Sequence, residues 1–390
     1  MNPAQTSNLK IFLSQISIGF VIGVVIACSP TKFNSAQNNV CDSSLSSCVV
    51  NNGFVDLTQN FKVGAGKVDI LFVDDNSASM SFEQNNMAAK FGGFIETLDA
   101  RGIDYKVAVI TTDLAATQQK RFITFGNGKS FLTNADSNRV GLFNQAIARP
   151  ETVQCENFMR GAINSYGPNW RSDSRYISEY NQYCPSPDER GLYTASLVLS
   201  ENSESFLRFD ANLSIILISD EDVRSGTLAL EENDKYETFN AMMASAHPSK
   251  YWDFNSIVVK DNVCRSAQSQ QILDQQGASA VGASIGMEYV KLSNSAAKDI
   301  DNNPRPRGQV LNICDADYAQ HFSSIAANIS DASRLLTLRC KPINAPTVER
   351  TGNPSQSVAF TWDGNQSIVF QKGSEGIPVS VKYRCYQGVQ

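Results

Sequence analysis

Residues 68–80, VDILFVDDNSASM, constrain the fold more than any other stretch. The largely apolar run over 68–73 reads as a strand buried on both faces, and it stops abruptly at Asp74 and Asp75. Asp75, Ser77 and Ser79 then offer one carboxylate and two hydroxyls at alternate positions of a loop. Hard divalent cations take oxygen ligands of this kind. A second strand signal, LSIILIS at 213–219, is the most apolar in the chain and runs straight into Asp220, Glu221 and Asp222. In an open sheet of parallel strands, ligands sit beyond the C-terminal strand ends. Asp75 and Asp220 are therefore expected to face one crevice. The helix expected from residue 81 aims its N-terminus at the same place.

The rest of the chain alternates strand and helix signals. Apolar residues at helical spacing over 81–101 end at Gly102, which suits a helix C-terminus, and YKVAVIT at 105–111 reads as another buried strand. Residues 121–125 and 129–132 flank Phe-Gly-Asn-Gly and predict a hairpin. Residues 139–166 read as helical with a break at Pro150, and 167–188 as a long loop rich in Tyr, Ser and Pro. Helices are expected over 189–199, 231–246, 287–292 and 316–329, and strands over 256–259 and 310–313. This pattern predicts an α/β fold, a mostly parallel sheet with helices on both faces. From 339 the pattern changes to period-two alternation at 357–362, 367–370 and 379–385, which predicts a small antiparallel β domain.

The N-terminus resembles an export signal. Lys10 precedes an apolar run over 11–27 that closes on VIAC, similar to the lipobox of bacterial lipoproteins, which implies cleavage and lipidation at Cys28. Ser29 follows the cysteine, and the absence of Asp there implies outer-membrane sorting, facing periplasm or medium. Residues 28–61, rich in Asn, Ser and Gln at their start, are expected to form a flexible tether. The domain boundaries are thus a signal over 1–27, lipidated Cys and tether over 28–61, an α/β domain over 62–338 and the β domain over 339–390. Of nine Cys, removing Cys28 leaves an even set that allows on the order of a hundred connectivities. Proximity suggests Cys41 with Cys48, Cys155 with Cys184, Cys264 with Cys314 and Cys340 with Cys385. Disulfides suit an oxidising compartment. A net charge of −6 without a basic block speaks against a nucleic-acid partner.

FVDDNSASM resembles the first motif of the von Willebrand factor A family, and IILISDEDV resembles its third. FLRFDANLSIILISDEDV, GMEYVKLS and ICDADYAQHFSSIA are similar to a subgroup of bacterial lipoproteins with that domain; the resemblance spans residues 66–338. It implies a Rossmann-like three-layer domain with a metal-ion-dependent adhesion site. Asp75, Ser77, Ser79 and Asp220 would hold Mg2+, or another divalent cation such as Ca2+ or Mn2+. The family's second motif departs here: DERGLYTA stands where Thr precedes a helix, with Glu189 as the candidate ligand and Thr194 or Thr112 as alternatives. Such a site implies adhesion to a protein or glycan partner that offers a carboxylate, with membrane attachment through the N-terminal lipid. A metal-independent structural or assembly module of the envelope is the alternative.

Catalytic patterns are sparse. Ser284 lies in a G-x-S-x-G run followed by Asp315 and His321 in hydrolase order, but the residues before it, 275–281, are too small and polar for the strand that such an elbow requires. A binding role rather than an enzyme is expected. The aromatics Tyr166, Trp170, Tyr176, Tyr180 and Tyr183 are expected either to line a contact surface or to pack on their own loop.

Overall fold

The apolar runs at 68–73, 105–111 and 213–219 form neighbouring strands in the computed structural model, which describes residues 41, 45–119, 121–224 and 228–387. The expected signal segment and Cys28 lie outside the described residues. The first half of the chain forms β1 (Ser47–Asn51), β2 (Phe54–Lys62), β3 (Lys67–Asp74), α1 (Ser81–Ala100), β4 (Asp104–Thr111), α2 (Leu114–Gln119), β5 (Leu132–Thr133), α3 (Arg139–Ile147), α4 (Pro150–Tyr166), α5 (Ser174–Tyr183) and α6 (Gly191–Ser200). There follow β6 (Ala211–Ser219), α7 (Tyr236–Ala246), β7 (Trp252–Val258), α8 (Asn262–Gln276), α9 (Met287–Asn294), β8 (Ala296–Lys298), β9 (Pro304–Pro306), β10 (Val310–Asn312) and α10 (Ala319–Ala332). The chain closes with β11 (Leu335–Thr337), β12 (Thr347–Arg350), β13 (Phe360–Trp362), β14 (Ser367–Phe370) and β15 (Pro378–Tyr386).

The central sheet has the order β10-β7-β6-β3-β4-β5 and is parallel except for β5. From β3 the chain goes to β4 on one side and returns to β6 on the other, so the winding reverses between β3 and β6. A crevice opens at such a point. Both faces are covered, which explains the continuous apolar strands. Val68, Ile70 and Phe72 face one layer with residues of α1, α3 and α10, whereas Leu71 and Val73 face the other with α6, α7 and α9. Phe72 anchors the first layer, with ring centroids 5.9 Å from Phe91, 4.8 Å from Phe143 and 6.3 Å from Phe322. At the opposite pole from the crevice, the buried Asp69 carboxylate accepts from the Arg208 backbone N and side-chain Nε, each at 2.7 Å. Arg208 also donates to Asp104 at 2.6 Å, stitching the strand beginnings together.

The tether expected over 28–61 is corrected for its C-terminal part. β2 sits between β1 and β15 in a four-stranded antiparallel sheet, and packs with β11-β14-β13 around Val55, Leu57, Leu338, Ile368, Phe370 and Val381. The boundary at 338/339 shifts as well, since β11 already pairs with β14. The α/β domain is thus inserted between two parts of one β unit. The junction is tight: Ser333 Oγ donates to Gly64 O at 2.8 Å, and a Cβ on Gly66 would lie 2.7 Å from Ser333 O. Arg334, 1% exposed, donates to Phe370 O and to Asp301 across the same junction.

Two local expectations also change. The hairpin at 121–132 is an irregular loop whose turn is present, Gly128 N donating to Phe125 O at 2.8 Å, but only β5 joins the sheet, against β4. The loop at 167–188 carries α5, capped by Asp173 accepting from Arg175 N. The polar α8, started by Asp261 accepting from Cys264 N at 2.9 Å, has too thin an apolar stripe to stand out in the sequence. The cysteines join as Cys41–Cys48, Cys155–Cys184, Cys264–Cys314 and Cys340–Cys385.

Candidate functional site

Asp75 is the first residue past β3, and its backbone N still donates to Ile218 O of β6. That bond holds the loop against the neighbouring strand end. The Asp75 carboxylate then accepts from Ser77 N at 2.9 Å through Oδ1 and from Ser219 Oγ at 2.6 Å through Oδ2. Ser77 and Ser79 are brought together, their Oγ atoms 3.0 Å apart, and Ser79 Oγ donates to Asp220 Oδ1 at 3.0 Å. Asp75, Ser77, Ser79 and Asp220 therefore converge at the crevice between β3 and β6. The adjacent Asp74 does not join them. It is buried, and Gln84 Nε2 donates to its Oδ2 at 3.2 Å; burial, ahead of the nearby charges, pushes its carboxyl well up. Gln84 also donates to Asp75 O at 3.0 Å, so α1 braces both halves of the turn.

The departure at the second motif has a structural outcome. Glu189, 7% exposed, lies just before α6 and its buried Oε2 has no hydrogen-bond partner. Burial first, then the charges of Asp75 and Glu221, push the Glu189 carboxyl well up. Asp220 is pushed well up by burial and by the same two neighbours. Thr194 Oγ1 donates to Gly191 O inside α6 at 3.1 Å and is spent there. Thr112, fully buried at the end of β4, leaves its Oγ1 without a partner; its backbone N donates to Asp74 O and its O accepts from Arg190 N.

Whether these residues suit a cation can be judged from their unsatisfied atoms. Asp220 Oδ2, Glu189 Oε2 and Thr112 Oγ1 are buried and have no hydrogen-bond partner. Leaving a buried polar atom unpaired costs about 1–3 kcal/mol, more for a charged group. Several such oxygens beside converging carboxyls fit a hard cation, which would satisfy them and offset their repulsion. Among the described residues no group of three or more His, Cys, Asp or Glu side chains is arranged to hold an ion alone. The serine and threonine hydroxyls would have to complete the set.

Sequence reasoning missed Ser219 and Gln84. Ser219 is the residue before Asp220, and Gln84 lies one helical turn into α1; neither pattern signals a contact with Asp75. The hydrolase constellation is not assembled: Ser284 Oγ accepts from Asp222 N at 2.9 Å and Ser284 N donates to Asp220 O, which pins the loop after β6. His321 instead faces Asn312 O at 3.0 Å and Asp315 at 3.3 Å, and no hydrogen bond joins it to Ser284 among the described residues.

No family model and no curated protein matches the chain. Among solved structures, the pilus adhesin SpaC of Lactobacillus rhamnosus GG in its open conformation is 12% identical with a TM-score of 0.29, over 86% of this chain and 41% of that one. Proximal thread matrix protein 1 of the mussel byssus is 12% identical with a TM-score of 0.27, over 71% and 47%. The manganese-loaded TRAP protein of Plasmodium vivax is 10% identical with a TM-score of 0.29, over 71% and 78%. This chain spans less than half the length of the first two.

Proposed function

We propose that this chain is a von Willebrand A-like binding protein, anchored to the bacterial envelope through a lipid on Cys28 and facing periplasm or medium from the outer membrane. Asp75, Ser77, Ser79 and Asp220, with Glu189 or Thr112, hold Mg2+ or a related divalent cation. The observation that supports this is the buried, unsatisfied Asp220 Oδ2 beside the hydroxyls of Ser77 and Ser79 at the strand switch point. A cation there supplies an electrophilic centre for an oxygen ligand. The surrounding residues orient it: Ser219 and Ser77 N fix the Asp75 carboxylate, and Gln84 fixes the turn. The serine hydroxyls are neutral ligands, so with Ser77 and Ser79 bound directly and the aspartates acting partly through water the cation keeps affinity for a carboxylate on a protein or glycan partner. Adhesion is the use that follows, and not catalysis.

The second reading is a metal-independent structural or assembly module. It draws on the buried Glu189 carboxyl, which burial and then the charges of Asp75 and Glu221 push well up, so that a proton on it takes the place of a cation. Calorimetric titration of Mg2+ into the full-length protein separates the two, with Asp75→Ala as control. Saturable heat in the natural sequence and none in the variant is the expected result. Silence from both refutes the cation site and leaves the scaffold reading.

A further inference from the structure

Beside the candidate cation site lies a cavity of about 630 Å3, in the range typical of ligand pockets. Ser79 and Glu189 line it together with Trp170, Tyr176, Ile177 and Tyr180, a wall contributed by the segment between α4 and α6. That wall is held firmly. The Cys155–Cys184 disulfide ties α4 to the residue after α5. Tyr176 meets Trp170 edge-on at 4.6 Å and stacks on Phe158 at 5.4 Å, and its hydroxyl donates to Met159 Sδ at 3.2 Å. Ile177, 50% exposed, and Val281, 48% exposed, both line the cavity and present aliphatic surface to it.

We propose that this cavity takes a large apolar side chain of a protein partner, next to the Asp or Glu whose carboxylate meets the cation. The recognised unit is then a carboxylate followed by a leucine- to phenylalanine-sized side chain in one peptide segment. This rests on the cation site proposed above. Charge complementarity with the cation selects the acid: the lining itself sets the Arg171 guanidinium against the carboxyls of Glu189 and Glu221, so the anionic group belongs at the cation and the apolar side chain in the cavity. The lining selects protein over glycan. Arg171 already lies over the Trp170 ring at 4.7 Å, covering a face on which a sugar would stack, and the aliphatic residues offer no hydrogen bonds to hydroxyls.

The test is selection of a displayed random-peptide library on the full-length protein in MgCl2, with elution by EDTA, followed by affinity measurement of the best synthetic peptide. Ile177→Asn and Val281→Asn, which remove aliphatic surface without adding charge, are measured in parallel; both positions are half exposed, so the fold tolerates them. Enriched peptides pair an acidic with a large apolar residue. Their affinity falls about tenfold or more in Ile177→Asn, as losing one buried aliphatic contact requires, while Mg2+ heat is unchanged. Mg2+ heat with no enriched peptide, or with acidic peptides that show no apolar preference and bind Ile177→Asn equally, overturns the pocket and leaves the cation site standing. Absence of both Mg2+ heat and EDTA-dependent elution overturns the cation site and this inference with it.

Discussion

Replacing Asp220 by Asn makes the protein more stable without a cation and less stable with one. Asp220 is fully buried, its Oδ1 accepts from Ser79, and its Oδ2 has no partner. Asn keeps the first acceptor and puts an N–H donor among the carboxyls of Asp75 and Glu189. It also removes one of the charges whose crowding pushes the Glu189 carboxyl up after burial. Relieving one unpaired buried acceptor is worth about 1–3 kcal/mol, which for a chain of this size raises Tm by on the order of 2–10 °C. The natural sequence instead gains about 2.7 kcal/mol from a cation at roughly a hundredfold excess over its Kd, and the variant gains almost none. Thermal unfolding of both proteins in EDTA and in MgCl2 should give curves whose order reverses. If Asp220→Asn melts below the natural sequence in EDTA, or keeps the full Mg2+ shift, carboxyl crowding is not what governs this crevice.

Two other outcomes are expected. Asp253, fully buried, accepts from Ser214 Oγ and Asn255, and burial pushes its carboxyl up from 3.8 to about 6. The folded state holds this proton more tightly, so its contribution is present below about pH 4, is lost as pH rises to about 6, and is flat above; Asp253→Asn should remove up to about 3 kcal/mol of that slope in urea unfolding, and an unchanged slope refutes the assignment. A chain beginning at residue 63 lacks β2, which pairs with β15 from Phe54–Tyr386 to Lys62–Pro378; it should show neither cooperative unfolding nor protease resistance, and unfolding at the natural Tm would show that the β unit does not need this strand.

The α/β core and the strand ends could be read from the chain because each is written locally. A buried parallel strand needs apolar residues at every position, as in LSIILIS, and a loop that binds oxygen-seeking ions needs oxygens at close spacing, as in Asp75, Ser77 and Ser79. β2 was hidden for a different reason. FVDLTQNFK does alternate, with Val55, Leu57 and Gln59 buried, but it follows a polar segment, its local partner β1 is short and largely exposed, and its other partner, β15, lies more than 300 residues later.

What local pattern decides in this protein is which segments are strands and where the oxygens cluster. Only the tertiary structure decides that Gln84 holds Asp74 while Ser219 holds Asp75, that Thr194 is consumed by its own helix, and that α5 builds a wall beside them. Each of those outcomes depends on residues distant in sequence, on Gln84 holding Asp74 and on the Cys155–Cys184 bridge holding α5. Side-chain type is a local property. The direction a carboxylate points, and whether its charge is crowded or solvated, is set by the neighbours that packing brings to it.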